Sequence, residues 1–264
     1  MSKIYLINVG ANMADKSIVR SPVFSDGGFY YAPFTKEGVN GYMKFSNEIR
    51  PFVQRHKMNG RDIHCDPDWK NLTYGDGWCR RSAALWHAER NDIFLFWALL
   101  WKNNGKGWIE WTDKKREQTD GDDPRQWCLI GAIRIDEILD EGQHPSDATA
   151  RNRLRAKANA HVFKGLIGKD NRVFIGQKRH SMLFEKAVDL GIYKSSSLLL
   201  KTVRTASGEK LNWHHGIRWN FSTRACRAIC DLTTHDGWKR AIILRNSIRK
   251  KNPNFDLLAG LTWP

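Results

Sequence analysis

Short apolar runs of strand length recur along the chain and are separated by glycine, proline and aspartate. Such runs, bounded by turn-forming residues, are typical of buried β-strands. The run at 93–101 is the longest and richest in aromatic residues, and it predicts a central strand. A turn at 25–28 predicts two short flanking strands, at 23–24 and 29–31. The remaining strand predictions are residues 3–9, 128–135, 173–175 and 198–203. Residues 136–139, after the second of these, are predicted as a turn or a short helix.

Apolar residues at helical spacing predict four helices, at residues 44–58, 80–89, 224–232 and 238–249. Pro51 conflicts with the first of them, because proline disrupts a helix interior. Together these elements predict an α+β fold: a mixed β-sheet or a partly closed β-barrel, with flanking helices and a helical C-terminal part. No linker or repeat divides the chain, which predicts a single compact domain over 1–264. A core of 1–220 with a helical extension, 221–264, is the variant of this prediction.

The composition is that of a globular protein: 41% of the 264 residues are hydrophobic. No apolar run approaches the roughly 20 residues that a membrane span needs, and the N-terminus lacks a signal-peptide pattern. We therefore expect a cytoplasmic protein with no membrane partner. The five cysteines form no CxxC pair, which favours free thiols in a reducing compartment. Cys226 and Cys230 have the spacing of one buried helix face.

Charge points to a polyanionic partner, because 43 Lys and Arg residues against 28 acidic residues give a net charge of +15. Basic groups bind nucleic acid by releasing the counterions of its phosphates. We therefore predict a nucleic-acid partner, with DNA favoured, although a solvated basic surface is the alternative explanation of any single cluster. The chain has 12 tryptophans, and those beside basic residues can stack on bases. The candidate nucleic-acid contacts are Trp78, Arg80, Arg81, Lys114, Lys115, Arg116, Arg151, Arg153, Arg155, Lys178, Arg179 and Trp213.

The most specific candidate for a catalytic or metal-binding segment is His64-Cys65-Asp66-Pro67-Asp68. On a strand, His64 and Asp66 point the same way and can reach one divalent metal ion. A third ligand, from His161 or from His214 or His215, would complete a two-histidine, one-carboxylate site, the donor set of non-haem iron oxygenases. Arg224 then follows at the spacing of an oxoglutarate-binding arginine.

Two other interpretations of this segment stay open. Spacing alone is weak support for a metal, since His87-Ala88-Glu89 has the same spacing and such pairs arise by chance. In a metal-free site, Asp66 or Asp68 acts as a general base or orients a histidine. In a purely structural role, the two carboxylates accept hydrogen bonds from the backbone amides of a turn.

Four motifs follow one another along the chain: Ser21-Pro22-x-x-x-Asp26-Gly27, His64-x-Asp66-Pro67-Asp68, Asn91-Asp92-Ile93-Phe94-Leu95-Phe96 and Ile130-Gly131 to Glu137-Ile138. In this order they resemble the nucleotide modification associated domain family, third type. Asn91 stands where that family has glycine, and the last 40 residues have no counterpart in the pattern. The resemblance implies a place in DNA base modification and, through His161-Val162, a functional histidine. A fainter resemblance of the strands to PUA, ASCH and EVE-type domains implies a small barrel that binds RNA or modified bases.

Three functions follow as hypotheses. The first is an enzyme of a DNA base-modification or DNA-defence system, which processes a base or nucleotide with His64, Asp66, Asp68 and His161. The second is a non-catalytic reader that holds a modified or flipped base between aromatic side chains. The third is an Fe(II)/2-oxoglutarate base oxygenase, with His64 and Asp66 among the metal ligands.

Overall fold

The computed structural model describes residues 2–9, 20–32, 35–36, 47–53, 62–77, 82–105, 107, 125–191 and 226–263. Two α-helices lie in these ranges, α1 (Arg153–Lys157) and α2 (His235–Lys251). Short 3-10 helices occupy Arg50–Phe52, Ala83–His87 and Pro145–Asp147. The strands are β1 (Lys3–Asn8), β2 (Pro22–Val23), β3 (Thr35–Lys36), β4 (Asp62–Ile63), β5 (Thr73–Gly77), β6 (Ile93–Lys102), β7 (Arg125–Leu139), β8 (Val162–Phe163), β9 (Leu166–Ile167), β10 (Asn171–Gly176), β11 (Met182–Asp189) and β12 (Arg227–Asp231).

Eight of the described strands form one mixed sheet. Six of them follow the order β12-β1-β6-β7-β10-β5, while β2 pairs with β6 and β11 pairs with β7 beside this path. β1 and β2 run parallel to β6, whereas the other pairings of this sheet are antiparallel. The long strand β7 pairs with β6 on one side and with β11 and then β10 on the other. β12 and β5 lie at the two ends of this order, so the described strands form an open mixed sheet within an α+β fold and not a closed barrel.

The central strands are apolar on both faces because both faces of the sheet are covered. Leu95 and Trp97 of β6 pack in one core cluster, with Leu244 and Ile248 of α2. Phe94 and Phe96 point to the opposite cluster, with aromatic residues of β5 and β10. The strands predicted at 3–9, 93–101 and 173–175 are therefore confirmed, since two-sided burial selects continuous apolar runs.

The predicted helix at 224–232 is wrong, because residues 227–231 form β12 and pair with β1. Cys230 lies on β12 in the core cluster that contains α2, whereas Cys226 precedes β12 and lies in the opposite cluster, so the two buried cysteines do not share one face. The helix predicted at 238–249 is confirmed as part of α2, which begins after the cap residue Thr234. Gly237 allows the close turn, since a Cβ there would lie 1.9 Å from the Asp231 carbonyl oxygen.

Beyond α2, the chain returns to the sheet. The Arg134 guanidinium of β7 donates to the carbonyls of Leu257 and Ala259, at 2.9 and 2.6 Å. Phe255 and Leu257 pack in the same cluster as α2. Residues 226–261 thus contribute to the core that β1 and β6 form. None of the helices in the described part of the chain has the length and apolarity that crossing a membrane requires.

Three further differences have local causes. In the predicted helix at 44–58, the described residues 47–53 form only the 3-10 turn that contains Pro51, and Val53 is extended. The helix predicted at 80–89 is a 3-10 helix over Ala83–His87. Residues 136–139 are neither a turn nor a short helix, because β7 continues through them and pairs with β10. The strand predicted at 198–203 lies outside the described residues.

Candidate metal centre

Three side chains predicted from the sequence meet at one point. The Nε2 atoms of His64 and His161, 97 positions apart in the chain, lie 3.2 Å from each other. His161 Nε2 also lies 3.3 Å from Asp66 Oδ2. One ligand atom from each residue lies within 4.8 Å of the others, and within the described residues this is the one group of histidine, cysteine or acidic side chains that could hold a metal.

Asp66 is fixed by β5. It lies in the loop between β4 and β5, and its Oδ1 accepts a hydrogen bond of 2.8 Å from the Gly75 amide. Oδ2 is therefore the oxygen that faces His161. The side chain is only 6% exposed, so its direction is set by the fold and not by solvent.

His161 reaches Asp66 because the segment from α1 to β8 lies along the turn before β5. Arg155 of α1 donates to the carbonyls of Asn71, at 2.7 Å, and Leu72, at 3.3 Å. The Asn159 amide nitrogen then donates to Thr73 Oγ1 at 3.0 Å. These contacts place His161, two residues after Asn159, against β5.

Gly75 leaves the space that the His161 ring fills. A Cβ at Gly75 would lie 2.3 Å from His161 Cδ2 and 2.9 Å from Asn159 Oδ1. Every other residue type would force the ring away, so the approach of His161 to β5 requires glycine here.

Asn171 of β10 fixes the tautomer of His161. The Asn171 amide nitrogen donates to the Lys169 carbonyl at 2.8 Å, which turns Oδ1 toward His161 Nδ1, also at 2.8 Å. Nδ1 must therefore carry a proton and donate it, which leaves the Nε2 lone pair of the neutral ring facing His64 and Asp66. Metal-bound histidines are oriented by the same kind of hydrogen bond.

Two of the three separations between ligand atoms match those around a small divalent cation, and all three atoms lie within 4.8 Å of one another. Ligands at about 2.1 Å from a metal lie about 3.0–3.4 Å from one another in octahedral or tetrahedral arrangement. The two separations involving His161, 3.2 and 3.3 Å, fall in this range. Two imidazole nitrogens and a carboxylate oxygen that face one another need either protons or a cation between them.

Burial shifts the proton affinities of the group. It raises the pKa of Asp66 to about 6, although hydrogen bonds from His161 and Gly75 act in the opposite direction. Burial alone would lower the pKa of His161, but the hydrogen bond and charge of Asp66 outweigh it and raise that pKa. Asp76, also of β5, adds negative charge near both residues, and burial raises its own pKa.

Asp68 does not join this group. Its Oδ1 accepts hydrogen bonds from the backbone amides of Lys70 and Asn71, at 3.0 and 3.1 Å, and its Oδ2 accepts one from the Asn71 side chain. Asp68 is buried at 6% exposure. These contacts match the structural interpretation of the second carboxylate, while Asp66 alone turns toward the histidines.

The arginines predicted to contact nucleic acid differ in their surroundings. Arg155 is buried, and besides the carbonyls of Asn71 and Leu72 it donates to the Gly176 carbonyl at 2.7 Å. Its guanidinium therefore binds backbone carbonyls inside the protein. Arg151 is exposed and pairs with Asp136 at 2.7 Å. Arg153 is exposed, and within the described part of the chain it donates to the carbonyls of Ser146 and Ala148.

The other predicted site residues are exposed or lie outside the described ranges. Lys178 and Arg179 are exposed in the turn between β10 and β11. His87 and Glu89, the pair with the same spacing as His64 and Asp66, are exposed and belong to no such cluster within the described part of the chain. Outside the described residues lie Trp78, Arg80, Arg81, Lys114, Lys115, Arg116, Trp213, His214, His215 and Arg224.

Sequence reasoning missed the residues that hold the histidine in place: Gly75, Asn159 and Asn171. A signal for the first exists, because Gly75-Asp76-Gly77 interrupts a strand with two glycines, which marks a close approach of other atoms. The asparagines carry no comparable signal.

The remaining motifs of the family resemblance serve the fold. The Ser21 hydroxyl accepts from the Ala32 amide at 3.0 Å. The Asp92 carboxylate accepts from the Lys3 and Glu89 amides, at 2.7 and 2.9 Å. Asn91, in place of the family's glycine, has a φ of +74°, a left-handed conformation that asparagine tolerates better than most residues.

Comparison with known protein families gave a match that spans most of the chain. The sequence model of nucleotide modification associated domain 3 matches residues 3–236 of this chain. Comparison with curated proteins and with solved structures gave no match. Because the match spans most of the chain and includes His64, Asp66 and His161, the protein belongs to the nucleotide modification associated domain 3 family.

Proposed function

We propose that the protein is an enzyme that processes a base or nucleotide, in a DNA base-modification system, with a divalent metal ion held by His64, Asp66 and His161. The observation that carries the proposal is the convergence of these three side chains, with the His161 tautomer fixed by Asn171. Chance pairing of a histidine and an acid explains His64 and Asp66 alone. It does not explain a third ligand brought from a distant part of the chain with its Nε2 turned inward.

The donor set favours iron or zinc. Two imidazoles and one carboxylate leave coordination positions open in non-haem Fe(II) oxygenases and in zinc hydrolases. Such an ion would supply Lewis acidity beside the substrate, and iron would add oxidative chemistry. A carboxylate and two neutral imidazoles leave one positive charge of a divalent ion uncompensated, which favours an anionic substrate.

Residues of the protein orient the ligand atoms of the centre. Gly75 holds Oδ1 of Asp66 so that Oδ2 faces the centre, and Asn171 keeps the Nδ1 proton of His161 away from it. Burial of Asp66 excludes bulk water from one side. A nucleotide substrate is supported by the family to which the chain belongs and by the net charge of +15.

The test measures the nucleoside composition of DNA by mass spectrometry, after incubation with the protein and Fe²⁺, Zn²⁺ or Mn²⁺. Parallel reactions with and without 2-oxoglutarate separate oxidation from hydrolysis. We expect a metal-dependent change that Asp66→Asn and His161→Ala abolish. The matched control is the double variant His87→Ala, Glu89→Ala, which removes a pair of the same spacing and should leave the reaction intact. A reaction that survives both Asp66→Asn and EDTA would show that the proposal is wrong.

A further inference from the structure

A small hairpin beside the candidate metal centre exposes apolar side chains. β8 follows His161 directly, and in the hairpin Phe163 is the cross-strand partner of Leu166. Paired residues of two antiparallel strands lie on the same face. Both are unusually exposed for large apolar residues, Phe163 at 50% and Leu166 at 46%.

The Phe163 ring adjoins the centre through a short series of contacts. A Cβ at Gly168 would lie 2.6 Å from Phe163 Cδ2 and 3.0 Å from the Asn171 amide nitrogen. Asn171 in turn contacts His161 at 2.8 Å. Phe163 and Asn171 therefore both lie against Gly168, and Asn171 connects this part of the hairpin to His161.

The same part of the chain carries a concentration of positive charge. Residues 148–169 contain six lysines and arginines and no acidic residue. Arg155 is used internally, Arg151 is paired with Asp136, and Arg153 donates to the carbonyls of Ser146 and Ala148. Three exposed lysines remain, with no carboxylate partner among the described residues: Lys157, Lys164 and Lys169.

We infer that Phe163 and three lysines, Lys157, Lys164 and Lys169, form one binding surface for an unpaired nucleic-acid strand, which we call the hairpin face. A base stacks on Phe163, and the lysines contact the flanking phosphates. An unpaired strand is favoured because the ligand atoms are recessed, with the side chains of His161 and Asp66 15% and 6% exposed, and a base already outside a duplex reaches them without the energy that flipping costs. The inference rests on the proposed function, since it names the form in which the substrate arrives.

The first test isolates stacking. Binding of a fluorescein-labelled 12-mer of thymidylate is followed by anisotropy, in EDTA. We expect Phe163→Ala to weaken binding by about tenfold, the typical loss of one base–aromatic stack, and Phe163→Trp to preserve it. Leu166→Ala is the matched control, because it removes an equally exposed apolar side chain without an aromatic ring, and it should change the affinity less than threefold. Equal losses for Phe163→Ala and Leu166→Ala overturn the assignment of stacking.

The second test isolates the charges. Each phosphate contact contributes about 0.7 to the slope of log K against log salt for a single strand. The triple variant Lys157→Ala, Lys164→Ala, Lys169→Ala should therefore reduce the slope by about 2. The control replaces three exposed lysines of α2, at positions 239, 250 and 251. An equal reduction in the control shows a diffuse charge effect and overturns the hairpin face.

Both tests run without metal, so they separate the two proposals. A protein that binds no metal, but whose hairpin variants lose oligonucleotide affinity, contradicts the proposed function and leaves the hairpin face standing. Oligonucleotide affinity that is unchanged in Phe163→Ala and in the triple lysine variant contradicts the hairpin face, whatever the metal content.

Discussion

Gly75→Ala is the smallest change that should displace one ligand of the centre. The added Cβ would lie 2.3 Å from His161 Cδ2 and 2.6 Å from Cγ, whereas ordinary contacts begin at 3.4 Å. The ring must therefore move by about 1 Å or more, since the other side of the contact is the backbone of a paired strand. Metal ligands tolerate shifts of only about 0.2 Å, so His161 Nε2 leaves its position.

Two quantities should change together. Loss of ligand alignment weakens metal binding by about 10- to 100-fold or more, measured by calorimetric titration with Zn²⁺. Overpacking costs about 1–3 kcal/mol of the free energy of unfolding, which lowers Tm by several degrees, about 2–4 °C per kcal/mol for a chain of this size. Thermal unfolding followed by circular dichroism in EDTA measures the second effect without the first.

Gly77→Ala is the matched control on the same strand. Its Cβ would lie 3.1 Å from Asn171 Oδ1 and 3.7 Å from the nearest backbone atom, contacts that a shift of a few tenths of an ångström relieves. We expect its metal affinity to fall no more than a few-fold. If Gly75→Ala matches the wild type in both zinc affinity and Tm, the placement of His161 against β5 is wrong.

Three further predictions concern the surroundings of the site. Asp68→Ala should cost about 1–3 kcal/mol in urea unfolding, through the hydrogen bonds it accepts, but should keep the zinc affinity within a few-fold; a loss like that of Asp66→Asn would contradict its structural role. Asn91→Ala should be about 1 kcal/mol less stable than Asn91→Gly, because of its φ of +74°, and equal stabilities by the same assay would refute this. The pKa values of Asp66, raised to about 6, and of His161, also raised, mean that both groups hold protons more tightly in the folded state. In EDTA, the free energy of unfolding measured with urea should therefore fall as the pH rises from about 4 to 6, because Asp66 loses its proton there. It should fall further above about pH 6.5, where His161 loses its proton. Zinc needs deprotonated ligands and should restore stability increasingly over the same range; zinc and EDTA curves that stay parallel would speak against a metal at this site.

Much of the sheet could be predicted from the sequence, because strands that are buried on both faces have continuous apolar sequences. β1, β6 and β10 follow directly from that pattern. The error at 224–232 arose because Cys226 and Cys230 have helical spacing, yet both faces of the sheet are covered and the two cysteines are buried in opposite core clusters. The continuation of β7 was missed because two acidic residues, Asp136 and Glu137, follow the apolar run, and only the pairing with β10 extends the strand.

The site was predictable only in part. The proximity of His64 and Asp66 in the sequence identified two ligand candidates, but three histidines competed for the third place. The choice of His161 depends on the contacts of Arg155 and Asn159 with the turn before β5, which no local pattern encodes. The same contacts explain why a basic segment that suggested phosphate binding contains one arginine committed to the interior.

The most direct test of the metal centre is X-ray absorption spectroscopy of the zinc-loaded protein. For one equivalent of metal, the scattering should fit two imidazole nitrogens and a carboxylate oxygen at about 2.0–2.2 Å. In His161→Ala, one imidazole should disappear from the fit. Substoichiometric zinc, or a first shell without imidazole in the wild-type protein, would contradict the assignment of His64, Asp66 and His161 as a metal site.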